Sequence, residues 1–438
     1  MKYAVIGAGW AGCSAAVELA KRGHQVHLFE AARTLGGRAR QVSSHDLMLD
    51  NGQHILLGAY KATLALLSTL GINQKTTLLR LPLQMCYPPD SGGMEFIAPK
   101  LPAPWHVAVA LLKASGLTRA DKMALMRFSS TARWMGWQLN NDCSVAELLH
   151  RYDQTDNLTR LMWQPLCIAA LNTPIHRASA QVFLNVLKDS LGAKRAASDM
   201  LIARTDLTSL LPQPAAQFIE AQGGQVHLGC AVHSIEKNTE WQLNFQQTQA
   251  NFDGVVIATS AEVASNLLAP LNMAEHIPTF EYEPITTCYL KYATDIKLAR
   301  PFLALVERPE HSAWGQFVFD RGQIEGEKAG GIAAQAGLFA VVVSTSQQAI
   351  EHGHAELAFN CAKQLAVDLM RPELAVPEWS QVITEKRATF ACTPGLVRPA
   401  NQLPVSGLVL AGDYTESSYP ATLESAVQSG VLAANLLM

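Results

Sequence analysis

The stretch Tyr3-Ala4-Val5-Ile6-Gly7-Ala8-Gly9-Trp10-Ala11-Gly12 joins a short apolar strand to a glycine turn of the form G-x-G-x-x-G. A helical run ending near Arg22-Gly23 follows. His24-Gln25-Val26-His27-Leu28-Phe29-Glu30 then reads as a second strand closing on an acid. Strand, turn, helix, strand and acid in this order form the fingerprint of a βαβ dinucleotide fold. Gly7 permits the tight turn, Gly9 lets backbone amides approach a pyrophosphate, Gly12 lets helix pack on strand, and Glu30 accepts from a ribose hydroxyl. Glycine-rich turns alone are common, so the flanking elements carry the specificity. The motif does not choose between NAD and FAD, which share this cradle.

Just beyond Glu30, Gly36-Gly37-Arg38-Ala39 brings a second glycine pair and a charge that glycine amides do not supply. A GGR sequence after the ribose-binding acid resembles the amine oxidase and carotenoid desaturase superfamily of FAD enzymes. The resemblance continues near the other end of the chain. Leu408-Val409-Leu410-Ala411-Gly412-Asp413 is an apolar strand ending in Gly-Asp, and a helix opens within 420–430. The resemblance implies an α/β fold, with a Rossmann-like FAD-binding domain of amine oxidase (GR2) type and an interleaved α+β substrate domain. In that family the acid matching Asp413 binds the ribityl or phosphate part of FAD, and the positions matching Thr422 and Leu423 lie against the flavin ring. The position matching Val232 offers its backbone to adenine. Pro420 suits the first turn of the helix, whose positive end stabilises the charge of reduced flavin. Gln225-Val226-His227-Leu228 and Val255-Val256-Ile257-Ala258-Thr259 fit the same template, and only their order makes them informative.

The 438 residues exceed what one hydrophobic core usually organises. The expected division is a discontinuous FAD-binding domain of 1–75, 196–264 and 386–438, with 76–195 and 265–385 as the substrate domain. Charged residues make up 16% of the chain, against about 25% in a typical soluble protein. A net charge of −3 with both signs interspersed predicts no nucleic-acid partner and no polybasic patch for anionic lipid, so any membrane contact is expected to be apolar. Eight cysteines without a C-x-x-C pair or a histidine cluster read as buried, reduced thiols of a cytoplasmic protein, and no metal is expected. Met1-Lys2 passes straight into a strand, which leaves no room for a signal peptide. Trp105 to Leu117 is the longest apolar approach to a membrane span, but it is too short and interrupted by Lys113.

Within 76–195 a hairpin is expected around Pro88-Pro89-Asp90-Ser91-Gly92-Gly93, followed by helical sequence that includes Trp105–Leu112 and WQPLCIAALNTP, residues 163–174. For these apolar helices core packing and tunnel lining both remain open. Strand-like runs such as Thr286–Leu290 and Leu338–Val343 mark 265–385. In the amine oxidases an aromatic residue two positions before the helix Glu walls an amine cage. Thr422 stands there, and it lacks a π face. Thr389-Phe390, Pro394-Gly395, Arg398-Pro399 and Tyr419-Pro420 look instead like the polyene desaturase branch. Asp50-Asn51-Gly52-Gln53-His54-Ile55-Leu56-Leu57-Gly58-Ala59-Tyr60 and WQPLCIAALNTP resemble the hydroxysqualene dehydroxylases, squalene-associated flavoproteins, and the likeness covers nearly the whole chain.

That resemblance implies reductive removal of an allylic hydroxyl from hydroxysqualene, giving squalene on a route to hopanoids or other triterpenes. The hydroxyl must leave as water, the allylic cation must be stabilised, and hydride must arrive from reduced FAD. In the superfamily the loop at 50–54 passes the flavin, so Gly52 would allow close backbone approach while Asp50, Asn51 and Gln53 fix the loop. His54 is the candidate acid for the departing hydroxyl, with Glu424 as its competitor. FAD is expected to be non-covalent, because the residues around Cys392 do not match those of a flavin-linking cysteine. An electron donor is needed, and the motifs fix neither its identity nor the direction of electron flow. At about 0.8 kcal/mol per carbon, moving a C30 isoprenoid from membrane to water costs on the order of 20 kcal/mol. A peripheral position on the inner face of the cytoplasmic membrane follows, with Trp105–Leu112 either meeting the bilayer or serving as a plain domain helix. The alternatives are a carotenoid (phytoene)-type polyene desaturase, running hydride toward oxidised FAD, and a non-catalytic isoprenoid-binding flavoprotein. An amine oxidase is disfavoured by Thr422.

Overall fold

Strands drawn from far apart in the sequence form one parallel sheet, in the order Gln225–Leu228, Gln25–Glu30, Lys2–Ile6, Gly254–Ile257 and Leu408–Leu410. The computed structural model describes residues 1–89, 91–246, 248–326 and 333–438. Val5 pairs with Leu28 on one side and Val256 on the other, and Val256 pairs in turn with Val409. The three inner strands are buried on both faces, which is why they read as unbroken apolar runs instead of alternating ones. This is the expected α/β architecture.

One face of the sheet is covered by helix Trp10–Lys21, which packs on helices Pro212–Ala221 and Leu423–Leu436. The contact with the last of these is very close. A Cβ on Gly430 would lie 2.2 Å from the Ala11 carbonyl oxygen, and Ser14 Oγ donates to the Val427 carbonyl at 2.8 Å. On the other face lies an antiparallel sheet of Val232–Lys237, Trp241–Phe245 and Thr248–Phe252. There Phe29, Phe245 and Phe252 pack with the stacked rings of His27 and His227.

A second large sheet is antiparallel, in the order Phe302–Ala304, Phe317–Asp320, Leu338–Ser344, Tyr282–Lys291 and Trp379–Phe390. Its side chains alternate as a pleat requires. Cys288, Leu290, Val341 and Val343 face helix His354–Asp368, while Tyr289, Phe319, Ala340 and Val342 face the large core shared with the helices of 119–190. The 163–174 stretch forms helix Gln164–Leu171, with Pro165 in its first turn and Asn172 left-handed at φ 43° where it ends. Gln84–Cys86 and Glu95–Ile97 pair as the expected hairpin, although Asp90 in its turn lies outside the described residues.

The structure departs from expectation at three points. Pro420 is not in the first helical turn. The helix begins at Leu423, because Thr422 and Ser425 form a reciprocal cap, and the Pro420 carbonyl accepts from Ser425 Oγ two residues ahead of that cap. The boundary drawn at 385/386 falls inside the continuous strand Trp379–Phe390, and that at 195/196 inside the short helix Arg195–Ser198. Basic residues are also not evenly interspersed: the segment 100–134, which holds two surface helices, contains six Lys or Arg and one Asp. Among the described residues no helix is long and apolar enough to cross a membrane.

Candidate functional site

The two glycine turns face each other. Gly7 sits at φ +103°, where a Cβ would lie 2.5 Å from the Ala258 carbonyl oxygen, and a Cβ on Gly12 would lie 1.8 Å from the Gly7 oxygen. Neither position can carry a larger residue. A Cβ on Gly9, by contrast, would meet only Gly37 Cα at 4.0 Å, so this glycine is not demanded by the chain's own packing. The Gly36 amide donates to the Ala8 carbonyl at 2.9 Å, which locks the second turn beside the first. Glu30 closes the cradle, accepting from the Ala8 amide at 2.8 Å and the Ala32 amide at 2.9 Å. The Gly229 and Cys230 amides donate to the Ala32 and Glu30 carbonyls, which brings Val232, the half-buried first residue of its strand, to the same end of the sheet.

Arg38 and Asp413, 375 residues apart, form an ion pair at 2.6 Å. Arg38 also donates to the Ala388 carbonyl at 2.8 Å, and Arg398 donates to the Asp413 carbonyl at 2.6 Å. Arg398 also donates to the Tyr419 carbonyl at 2.6 Å, three residues ahead of Thr422, whose hydroxyl is committed to the cap of the C-terminal helix.

The loop 50–54 is clamped from two sides. Asn51 donates to the Arg38 carbonyl at 3.0 Å on the cradle side. On the other side Tyr289, from an inner strand of the second sheet, donates to the Asp50 carbonyl and accepts from Gln53 Nε2, both at 2.8 Å. The buried Arg321 holds Gln53 Oε1 at 3.0 Å. A Cβ on Gly52 would make only ordinary contacts, with the His54 ring at 3.8 Å and Thr287 Oγ1 at 4.0 Å. A side chain at Gly52 would therefore be tolerated sterically, resting against His54 and Thr287.

His54 sits at the end of this loop in the wrong ionisation state for an acid. Its Nδ1 faces the Gly52 carbonyl at 2.9 Å, so Nδ1 carries the donor hydrogen and Nε2 is an acceptor. Burial, aided by the nearby Arg38 charge, holds the imidazole below its usual pKa despite that hydrogen bond. Glu424 fails as an acid for another reason. Its carboxylate accepts from the Ala62 and Thr63 amides, each at 2.9 Å, and from Thr63 Oγ1 at 2.8 Å, capping helix Lys61–Thr69 from outside that helix. Asp50 is the group that reasoning from sequence passed over: burial pushes its carboxyl up to about 7, against the opposing pull of Arg321. Its Oδ1 accepts from the Leu207 amide at 2.8 Å, so a proton at this carboxyl resides on Oδ2. Nothing local in DNGQH signals this, because the burial comes from 200–210 and the second sheet.

The residues fit a flavin dinucleotide. Between the two turns, nothing of the chain comes nearer to a Cβ on Gly9 than Gly37 Cα at 4.0 Å. Two buried hydroxyls near the loop and the Arg38–Asp413 pair, Thr287 Oγ1 and Tyr414 OH, have no hydrogen-bond partner among the described residues. Buried hydroxyls are rarely left unpaired, so a ligand acceptor or donor is expected beside each. Cys392 is buried, and burial pushes its thiol up to about 12, which leaves no thiolate for a covalent link. A separate small cavity of about 30 Å³, lined by Tyr87, Arg160, Gln164, Glu307 and Gln316, touches the 163–174 stretch and none of the cradle residues.

The family model for flavin containing amine oxidoreductases matches residues 10–438. The chain is 27% identical to the hydroxysqualene dehydroxylase of Rhodopseudomonas palustris, over 99% of this chain and 97% of that one. Against the hydroxysqualene dehydroxylase of Zymomonas mobilis the identity is 27%, over 99% and 98%. It is 25% identical to the chloroplastic/chromoplastic 15-cis-phytoene desaturase of Capsicum annuum, over 100% of this chain and 78% of the relative. Among solved structures, an oxidoreductase from Methanosarcina mazei superposes with a TM-score of 0.72 at 16% identity, covering 99% of this chain and 100% of that one.

Proposed function

The chain belongs to the flavin containing amine oxidoreductase family, and from that premise we propose that it removes the allylic hydroxyl of hydroxysqualene to give squalene. It is an FAD-dependent oxidoreductase, and bound reduced FAD supplies the hydride equivalent. The end-to-end likeness to hydroxysqualene dehydroxylases carries the reading. Thr422, with its hydroxyl in a helix cap and no ring to face an amine, supports it further.

In the proposed reaction the C–O bond breaks, the oxygen takes a proton and leaves as water, and a hydride equivalent closes the carbon. We assign the proton to Asp50 Oδ2, the group here whose pKa lies near neutrality, in place of His54. His54 Nε2 serves as an acceptor, and Tyr289 and Arg321 hold the loop in register through Asp50 and Gln53. Gly7, Gly9, Gly12, Glu30, Gly37, Arg38, Gly52, Val232, Asp413, Thr422 and Leu423 are proposed to hold FAD without a covalent bond. The FAD-binding part takes in the parallel sheet, and the substrate part takes in the second sheet and the helices of 105–190. An apolar C30 substrate places the enzyme against a membrane surface, with an electron donor still to be supplied.

The likeness to phytoene desaturases supports a second reading, in which hydride runs to oxidised FAD from a polyene. One experiment separates them. The purified protein is reduced anaerobically and mixed with hydroxysqualene, and in parallel the oxidised protein is mixed with phytoene. Flavin reoxidation together with squalene is expected in the first arm. Flavin reduction in the second arm, with neither product nor reoxidation in the first, overturns the proposal.

A further inference from the structure

We infer that the outer face of helices Trp105–Lys113 and Arg119–Trp134 docks on a bilayer containing anionic lipid, an inference that rests on the apolar substrate proposed above. Large apolar side chains are normally scattered singly over a surface. Here Trp105 is 63% exposed, Leu112 66%, Met123 56% and Trp134 88%. Trp105, Val109 and Leu112 fall on successive turns of one helix face, whereas His106, Ala110 and Leu111 already fill its inner face. Residues 101–104 ahead of this helix are exposed throughout, and Lys122 Nζ ties the second helix to the Leu112 carbonyl at the end of the first.

Charge decides which partner this surface fits. Lys100, Lys113, Arg119, Arg127 and Arg133 are exposed among these apolar groups, in a chain whose total is −3. The one acid of the segment, Asp121, is buried and bound by the Thr118 amide and the Thr155 hydroxyl, so it does not offset them at the surface. Tryptophan, leucine and methionine beside lysine and arginine match the boundary between acyl chains and anionic headgroups. The face also connects to the site. The His106 ring lies 3.4 Å from Ser198 Oγ, two residues before strand Met200–Ala203, which pairs with Ile55–Leu57 immediately after His54.

The test is flotation of the FAD-loaded full chain with vesicles of phosphatidylcholine alone or mixed with phosphatidylglycerol. Retention roughly tenfold better on the mixed vesicles, and lost in high salt, is expected. The double variant Trp105→Ser/Trp134→Ser should sediment with either lipid while keeping its flavin absorbance. Arg119→Glu/Arg127→Glu should lose the preference for phosphatidylglycerol. The inference is overturned if the wild type stays out of the float, if both variants float like the wild type, or if the wild type forms a dimer that Trp134→Ser abolishes. Squalene formation from detergent-dispersed hydroxysqualene is read alongside. Turnover without flotation sinks the surface alone, and flotation without turnover sinks the reaction alone.

Discussion

At the scale of single residues, Asp50 and His54 exchange the roles their types suggest. The imidazole is held neutral with one nitrogen occupied, while the carboxyl, stripped of water, keeps its proton to about pH 7. Asp50→Asn is therefore expected to retain FAD but to form squalene roughly a hundredfold more slowly. Because the protonated carboxyl is the active form, the wild-type rate should decline as pH rises through about 7, and the residual rate of the variant should not. A rate-versus-pH profile of both proteins checks this, and a His54→Gln profile should keep the wild-type shape. For Glu424 the expectation concerns stability. Glu424→Ala leaves the Ala62 and Thr63 donors unanswered and should lower unfolding free energy by about 2–4 kcal/mol in denaturant titration, with Glu424→Gln recovering part of the loss.

Among the elements, those buried on both faces were the legible ones. Tyr3–Ile6, Val255–Ile257 and Leu408–Leu410 announce themselves as apolar runs framed by glycine, and the structure lays them side by side. Trp379–Phe390, with sequence WSQVITEKRATF, is an edge strand of the second sheet and mostly only half-buried, so its polar spelling hid its length. The basic face of 100–134 was hidden in a similar way, since a near-neutral total says nothing of where charge gathers. The capping role of Glu424 was unreadable because its partners are mainly backbone amides some 361 residues away. One strand contact carries its own prediction. Burial, together with the Lys2 charge, depresses His27 to about 4, and His227 beside it is also lowered. Depressed folded values mean that the unfolded chain takes up the protons first. Thermal stability should therefore hold above about pH 6.5 and fall as pH drops from there toward 4, and His27→Phe should blunt that fall.

Over the whole molecule, the cradle is closed by parts that meet only in three dimensions: the first glycine turn, Arg38, and Asp413 beyond the last strand of the parallel sheet. Arg38→Met removes the side-chain link between them and should weaken FAD binding about 10- to 100-fold, measured by fluorescence titration of apoprotein, with little change in overall secondary structure.

The helix Leu423–Leu436, wedged by Gly430 against Ala11, has a bearing on biosynthesis. A ribosome adding roughly 5–20 residues per second needs about 20–75 seconds to travel from Arg38 to Asp413. Throughout that interval the nascent amino-terminal half lacks the Asp413 side of the cradle and the helix that covers Ala11, and its greasy surfaces stay open to chaperones.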